Sequence, residues 1–216
     1  MDRIVLHDYF RSSASYRVRI ALNLKGLAYE RREVNLADGA QKGAAFRSLN
    51  PQGFVPCLEI DGLKLTQSLS IAVYLDQTRP DPPLMPRDQA DGAHVRALAL
   101  TVACDIHPLN NLRVLKYLQG PLGIAEDAKD GWYRHWVSEG LAALEAMAAP
   151  RAGAFLFGDS PTLADVCLVP QLYNARRFSV PISAYPTLRR ADETASAHPA
   201  FAAAHPDRVA QEDLVK

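Results

Sequence analysis

Over residues 1–80 short apolar runs alternate with stretches of helical period, and beyond them only the helical period remains. RIVLHDYF is short, β-branched and apolar on both faces, which predicts a strand in a sheet covered on both sides. In SSASYRVRIALNLKG, Val18, Ala21, Leu22 and Lys25 fall at helical spacing; Ser12 or Ser13 can cap the start, and Gly26 stops the helix. YERREVNL reads as a second strand, so the two strands are expected to be parallel with a right-handed crossover. GAQKGAAFRSLN is a weaker helix, and FVPCLEI and LKLTQ flank Asp61-Gly62, a hairpin signal. SLSIAVYLDQTR predicts a helix that starts at Ser68 and stops before Pro80.

The stretch PDPPLMPRD holds four prolines, each fixing φ and removing a donor, and reads as a stiff linker. The expected division is therefore 1–80, a linker at 81–87, and 88–216. After the linker no strand is evident. QADGAHVRALALTVACDIHPLNNLRVLKYLQG predicts a long helix kinked or broken at Pro108, and DGWYRHWVSEGLAALEAMAA a second helix. SPTLADVCLVPQLYNARRF predicts a third, opening on Thr162-x-x-Asp165, a relative of the capping box with aspartate in the place of Glu or Gln. TLRRADETASAHPAFAAAH predicts a fourth, and the polar PDRVAQEDLVK is expected to be mobile. The pattern is a small α/β domain (β-α-β, helix, hairpin, closing helix) followed by an all-helical one.

Composition narrows the function. The 216 residues are 48% hydrophobic and 22% charged, as in soluble globular proteins. Lys plus Arg and Asp plus Glu are both 24, so nothing global favours nucleic acid or an anionic membrane, and any anion site must be local. Cys57, Cys104 and Cys167 are odd in number and far apart, which argues against a disulfide framework or a zinc site and for a reducing compartment. All three sit in apolar settings and are expected in the core. The N-terminal run is too short and polar for a signal peptide, no stretch is long enough to span a bilayer, and a cytoplasmic protein is expected.

Three short stretches carry candidate chemistry. Ser12 and Ser13 at a helix start combine orphan backbone N–H groups, the positive end of the helix dipole and two hydroxyl donors, an arrangement that binds an anion and lowers the pKa of a thiol. The bland alternative is capping alone. In FVPC, Pro56 is badly placed in a strand unless the strand is an edge or the Val55–Pro56 bond is cis. A cis bond would present the Val55 N–H and C=O to an extended peptide. Gln67 and Ser68 precede a helix and make a second N-terminal anion site. In this order the three suit a peptide with a backbone to clamp, a carboxylate and a thiol.

These motifs resemble the glutathione transferases, most closely the zeta class. FRSSASYRVRIALNLKG, LNPQGFVPCL, TQSLSIAVYL, DIHPLNNLRVLKYL, GDSPTLADVCLVPQLYNARRF and YPTL run in family order from about Phe10 to Leu188. The resemblance implies a thioredoxin-like N-terminal domain joined to an all-α C-terminal domain, a homodimer, glutathione as cofactor and a cis Val55–Pro56 bond. It implies Ser12 and Ser13 near the glutathione sulfur, Gln41 at the glycyl end, the Val55 backbone on the cysteinyl part, and Gln67 and Ser68 on the γ-glutamyl group. Asn110 stands where glutamine is common, and Asp105 is a candidate contact to a partner's glutathione or a plain helix-face carboxylate. One departure stands out: Ala14 occupies the position of the family cysteine.

Zeta-class isomerases act on cis enediones that carry carboxylates. The resemblance implies addition of a thiolate to the conjugated double bond, rotation, and elimination to the trans isomer, so glutathione is not consumed. The dicarboxylate substrate calls for arginine, and Arg11 and Arg177 are the candidates, with Arg176 the adjacent alternative. Arg17 and Arg19 lie further along the first helix and are read as structural. Maleylacetoacetate is the favoured substrate because Leu112 stands where maleylpyruvate enzymes are expected to carry another arginine. Maleylpyruvate or α-haloacids, and a non-enzymatic binding role, are the alternatives.

Overall fold

Strand β1 (Val5–Asp8) is buried at every position, as its two-faced apolar run requires. It leads into α1 (Ser13–Leu24), capped by Ser12, whose hydroxyl accepts from the Ser15 N–H at 3.2 Å. Then follow β2 (Glu30–Glu33), a 3-10 turn at Ala40–Lys42, α2 (Ala44–Arg47), the hairpin β3 (Cys57–Ile60) and β4 (Leu63–Thr66), and α3 (Ser68–Thr78). This computed structural model describes residues 3–214. The sheet order is β2-β1-β3-β4, with β1 parallel to β2 and antiparallel to β3, and β3 antiparallel to β4. The weak helix of the sequence is split in two because Gly43 is extended, at φ −67° and ψ 152°.

A buried charge cluster ties these elements together. Arg19 and Asp8 are both fully buried, and the Arg19 Nη1 lies 2.8 Å from each Asp8 oxygen. Arg31, on the otherwise exposed edge strand β2, donates to the same carboxylate at 2.8 Å, so two guanidinium groups neutralise a carboxylate that burial would otherwise disfavour. Arg19 also donates to the Phe10 carbonyl at 3.0 Å and so fixes the turn between β1 and α1.

The second unit is Met85–Ser196 and is almost wholly helical. It holds α4 (Gln89–Leu100), a π-helical segment Thr101–Ile106, a 3-10 turn His107–Asn110, α5 (Leu112–Gln119), α6 (Glu126–Ala148), α7 (Leu163–Arg177) and α8 (Pro186–Ala197). The break expected at Pro108 is thus a graded change of helix type, from α through π to 3-10, closed when Asn111 caps α5. The π-helical segment turns Val102 and Ile106 inward and leaves Cys104, two residues from each, exposed. That corrects the expectation of three core cysteines; Cys57 and Cys167 are buried. Helix α6 passes this segment at Gly140, where a Cβ would collide with the Ile106 side chain. Helix α7 opens on a complete capping box: Asp165, fully buried, accepts from the Thr162 N–H at 2.8 Å and from the Leu156 N–H at 2.7 Å.

Two further helices, α9 (Pro199–Ala204) and α10 (Pro206–Leu214), complete the chain. Chain order assigns residues 197–216 to the helical domain, but by their contacts the described ones, 197–214, group with residues 3–84. Asn23 donates to the Ala200 carbonyl at 2.9 Å, Arg19 to that of Ala204 at 3.0 Å, and Tyr16 meets His205 edge-on. The tail expected to be mobile is helical through Leu214 because these partners hold the start of the segment to α1. No helix among the described residues is long and apolar enough to cross a membrane.

Candidate active site

Sheet register gathers the first unit's candidate residues. His7 pairs with Cys57, and Cys57 pairs with Thr66, so β1 ends where β3 begins and β4 ends. The segments that continue from those points are Tyr9–Ser13, Val55–Pro56 and Gln67–Ser68. Three stretches that span some sixty residues of the chain therefore lie at one end of one sheet. Parallel β2 ends at the same level, Glu33 beside Asp8, and the chain leaving it carries Gln41.

Each residue there has a local reason for its geometry. Ser12 is the cap, and Ser13 is the first helical residue, 5% exposed. Capping by Ser12 places Ser13 in the first turn, at the positive end of α1. Arg11 is exposed, its guanidinium 5.0 Å from the Phe10 ring centroid. The Val55–Pro56 bond is cis. Among the described residues neither the N–H nor the C=O of Val55 makes a backbone hydrogen bond, although the residue is only 7% exposed. Its side chain packs with Val34, Phe46 and Cys57, which anchors the backbone.

Gln67 caps α3 in the left-handed region, φ 66° and ψ 113°, and makes no side-chain cap. A non-glycine residue held there stores strain, and such residues cluster at ligand clamps. Its side-chain amide instead donates to Gln52 at 2.8 Å, which leaves the first turn of α3 without a side-chain acceptor from its cap. Ser68 is 6% exposed and its hydroxyl accepts from the Arg17 guanidinium at 3.4 Å. Gln41 lies in the 3-10 turn, and its buried side-chain oxygen has no hydrogen-bond partner among the described residues. Gly53, at φ +65°, approaches the Gln41 carbonyl so closely that a Cβ would sit 2.9 Å from it.

The second unit carries the remaining candidates. Asp105 is exposed in the π-helical segment, and Asn110 is buried in the 3-10 turn, donating to the Ile106 carbonyl at 3.1 Å. The Asn110 side-chain oxygen is buried without a partner among the described residues. Arg177 ends α7, exposed, with Nη1 3.3 Å from Asn174 Oδ1 and its guanidinium 5.8 Å from both the Tyr173 and Phe178 rings. Phe178 stacks on buried Tyr133 at 3.8 Å, and burial raises the pKa of that phenol. Arg176, the adjacent alternative, is engaged otherwise: it lies 2.5 Å from the nearly buried carboxylate of Asp192 on α8. The neighbouring arginines thus divide, one an ion pair that ties α7 to α8, the other without a carboxylate partner among the described residues.

Cys57, beside Pro56, is no substitute for the absent cysteine at position 14: burial pushes its thiol up to about 11. Among the described residues no group of His, Cys, Asp and Glu is arranged to hold a metal ion. The sequence reading missed Gln52, for which no motif gives a signal, and the Arg17 contact, whose signal was the spacing of four residues from Ser13.

Comparison with known proteins agrees along nearly the whole chain. The family models described as the N-terminal and C-terminal domains of glutathione S-transferase match residues 11–78 and 130–207. A probable maleylacetoacetate isomerase of Vibrio cholerae is 50% identical over 96% of this chain and 97% of its own. A holo structure of maleylpyruvate isomerase, a bacterial zeta-class glutathione S-transferase, superposes with a TM-score of 0.92 at 44% identity, covering 94% of this chain and 97% of that one. A maleylacetoacetate isomerase from Methylobacterium extorquens, with bound malonate and glutathione, gives a TM-score of 0.91 at 41% identity, covering 94% and 97%. With both domain models matched and relatives aligned over nearly their full length, the chain belongs to the glutathione S-transferase family, in its zeta class.

Proposed function

We propose that this protein is a glutathione-dependent cis–trans isomerase that converts maleylacetoacetate to fumarylacetoacetate. One observation carries the reading: a hydroxyl at a helix start, an unengaged Val55 backbone and an uncapped helix N-terminus lie together at one end of the sheet. That set fits a peptide with a thiol, an amide backbone and a carboxylate. The Val55 N–H and C=O pair with the cysteinyl part, Gln67, Ser68 and the start of α3 hold the γ-glutamyl carboxylate, and at the glycyl end the unpartnered Gln41 oxygen accepts from the glycyl N–H while its amide NH2 donates to the carboxylate. Bound glutathione would supply the thiolate that adds to the conjugated double bond and leaves after rotation. Ser13 and the α1 dipole hold the sulfur as its anion, with Ser12 keeping the helix start in register. Arg11 and Arg177 receive the substrate carboxylates, Asn110 contributes a polar contact to glutathione, and Asp105 contributes one to the glutathione of the partner subunit.

The bound malonate in the Methylobacterium relative supports a dicarboxylate substrate. The high similarity to a maleylpyruvate isomerase keeps that substrate as the second reading, and Leu112 favours the first. Family membership supports a homodimer, and three free cysteines support a cytoplasmic setting. The deciding experiment is a glutathione-dependent absorbance assay with both substrates on the wild type, Ser13→Ala and Arg177→Ala. Turnover of maleylacetoacetate that falls in both variants is expected. Isomerisation unchanged in both would refute the site, and a clear preference for maleylpyruvate would replace the substrate. Gel filtration coupled to light scattering tests the dimer.

A further inference from the structure

Arg17 is only 2% exposed, yet it points its guanidinium at a hydroxyl of the proposed binding site: Nη1 donates to Ser68 Oγ across 3.4 Å, between α1 and α3. It sits one helical turn beyond Ser13, on the same face of α1. The geometry points to Arg17 as a positioning residue for the γ-glutamyl carboxylate, acting through Ser68. This rests on the placement of that carboxylate at the start of α3 under the proposed function.

The chemistry follows from donors and acceptors. A hydroxyl that accepts from a cation has its oxygen lone pair engaged, and its own proton is turned away to donate elsewhere. At Ser68 the outward direction is the start of α3, where the strained Gln67 backbone and its diverted side chain leave the first-turn N–H groups uncapped by the cap residue. A carboxylate there meets the hydroxyl proton, the helix dipole and the fixed positive charge of Arg17 behind them. Because Arg17 is buried, its charge is poorly screened, and its rotamer is held before the ligand arrives. The side chain therefore joins the helix that holds the thiol end to the helix that holds the γ-glutamyl end.

The test separates this role from a merely structural one. Calorimetric Kd values are measured for glutathione and for γ-aminobutyryl-cysteinyl-glycine, which is glutathione without the γ-glutamyl carboxylate, on the full chain. The wild type is expected to prefer glutathione by about tenfold or more, the scale of one charge-assisted hydrogen bond. Arg17→Met is expected to weaken glutathione binding by about that factor while leaving the analogue's Kd within about twofold, so that the preference collapses. A structural role would weaken both ligands together. Arg17→Lys, which keeps a buried cation but not the fork, carries the same test if Arg17→Met does not fold; the preference should fall at least about threefold. A preference kept in full by the folded Arg17 variant overturns the inference and leaves the proposed site standing. A wild type without any preference overturns both.

Discussion

At the scale of single residues, two pairs of neighbours divide their work. Ser12 spends its hydroxyl on the Ser15 N–H, while Ser13, one place on, sits in the first turn at the positive end of α1. Ser12→Ala should cost about 1 kcal/mol of stability, the usual worth of an N-cap, and lower the melting temperature by a few degrees. Ser13→Ala should raise the pKa of bound glutathione, read from thiolate absorbance in a pH titration. Arg176 and Arg177 divide in the same way. Arg176→Ala leaves the nearly buried Asp192 carboxylate without that partner and should lower thermal stability. Arg177→Ala should keep the melting temperature and raise KM for the dicarboxylate about tenfold or more. Equal effects of the two variants on KM would contradict this division. The motif alone left both arginines open; only the position of Asp192 on α8 separates them.

At the scale of elements, the start of α7 depends on one buried carboxylate. Asp165 accepts from Leu156 and Thr162, so Asp165→Ala strands buried donors and should cost about 2–4 kcal/mol, measured by denaturant unfolding. Burial dominates over these donors and pushes the Asp165 carboxyl up to about 6, from the ordinary 3.8 of an aspartate. Because the folded value lies above the unfolded one, the folded state binds the proton more tightly between them. The stabilisation from this group is complete below about pH 4 and is lost as pH rises through about 6. Asp165→Asn cannot titrate, so the difference in melting temperature between wild type and variant should change across that window and be flat above it. The Thr162-x-x-Asp165 spacing made this cap legible in the sequence. The π-helical segment was not: nothing in TVACDI distinguishes it from α-helix, and its phase is set by packing against α6 at Gly140.

At the scale of the whole molecule, the last helices belong with the first. Asn23, Arg19 and Tyr16 all engage residues beyond 199, so a chain ending at Ser196 would leave one face of α1 uncovered. That truncation should reduce thermal stability and weaken glutathione binding, measured by circular dichroism and calorimetry. A truncated protein that binds as tightly as the full chain would show the tail to be dispensable. Hydrophobic period, turn residues and caps act over a few residues, and for that reason the strand–helix–strand start, the hairpin at Asp61-Gly62, the cap of α7 and, through the motifs, the family were legible in the chain alone. Pairing and burial act between residues far apart in the chain. It therefore took the folded chain to bring Tyr9–Ser13, Val55–Pro56 and Gln67–Ser68 to one end of the sheet, and to set Arg19 and Arg31 on Asp8 in the interior. The fold alone placed Arg17 on Ser68, because a buried cation between two helices leaves no periodic signature in either of them.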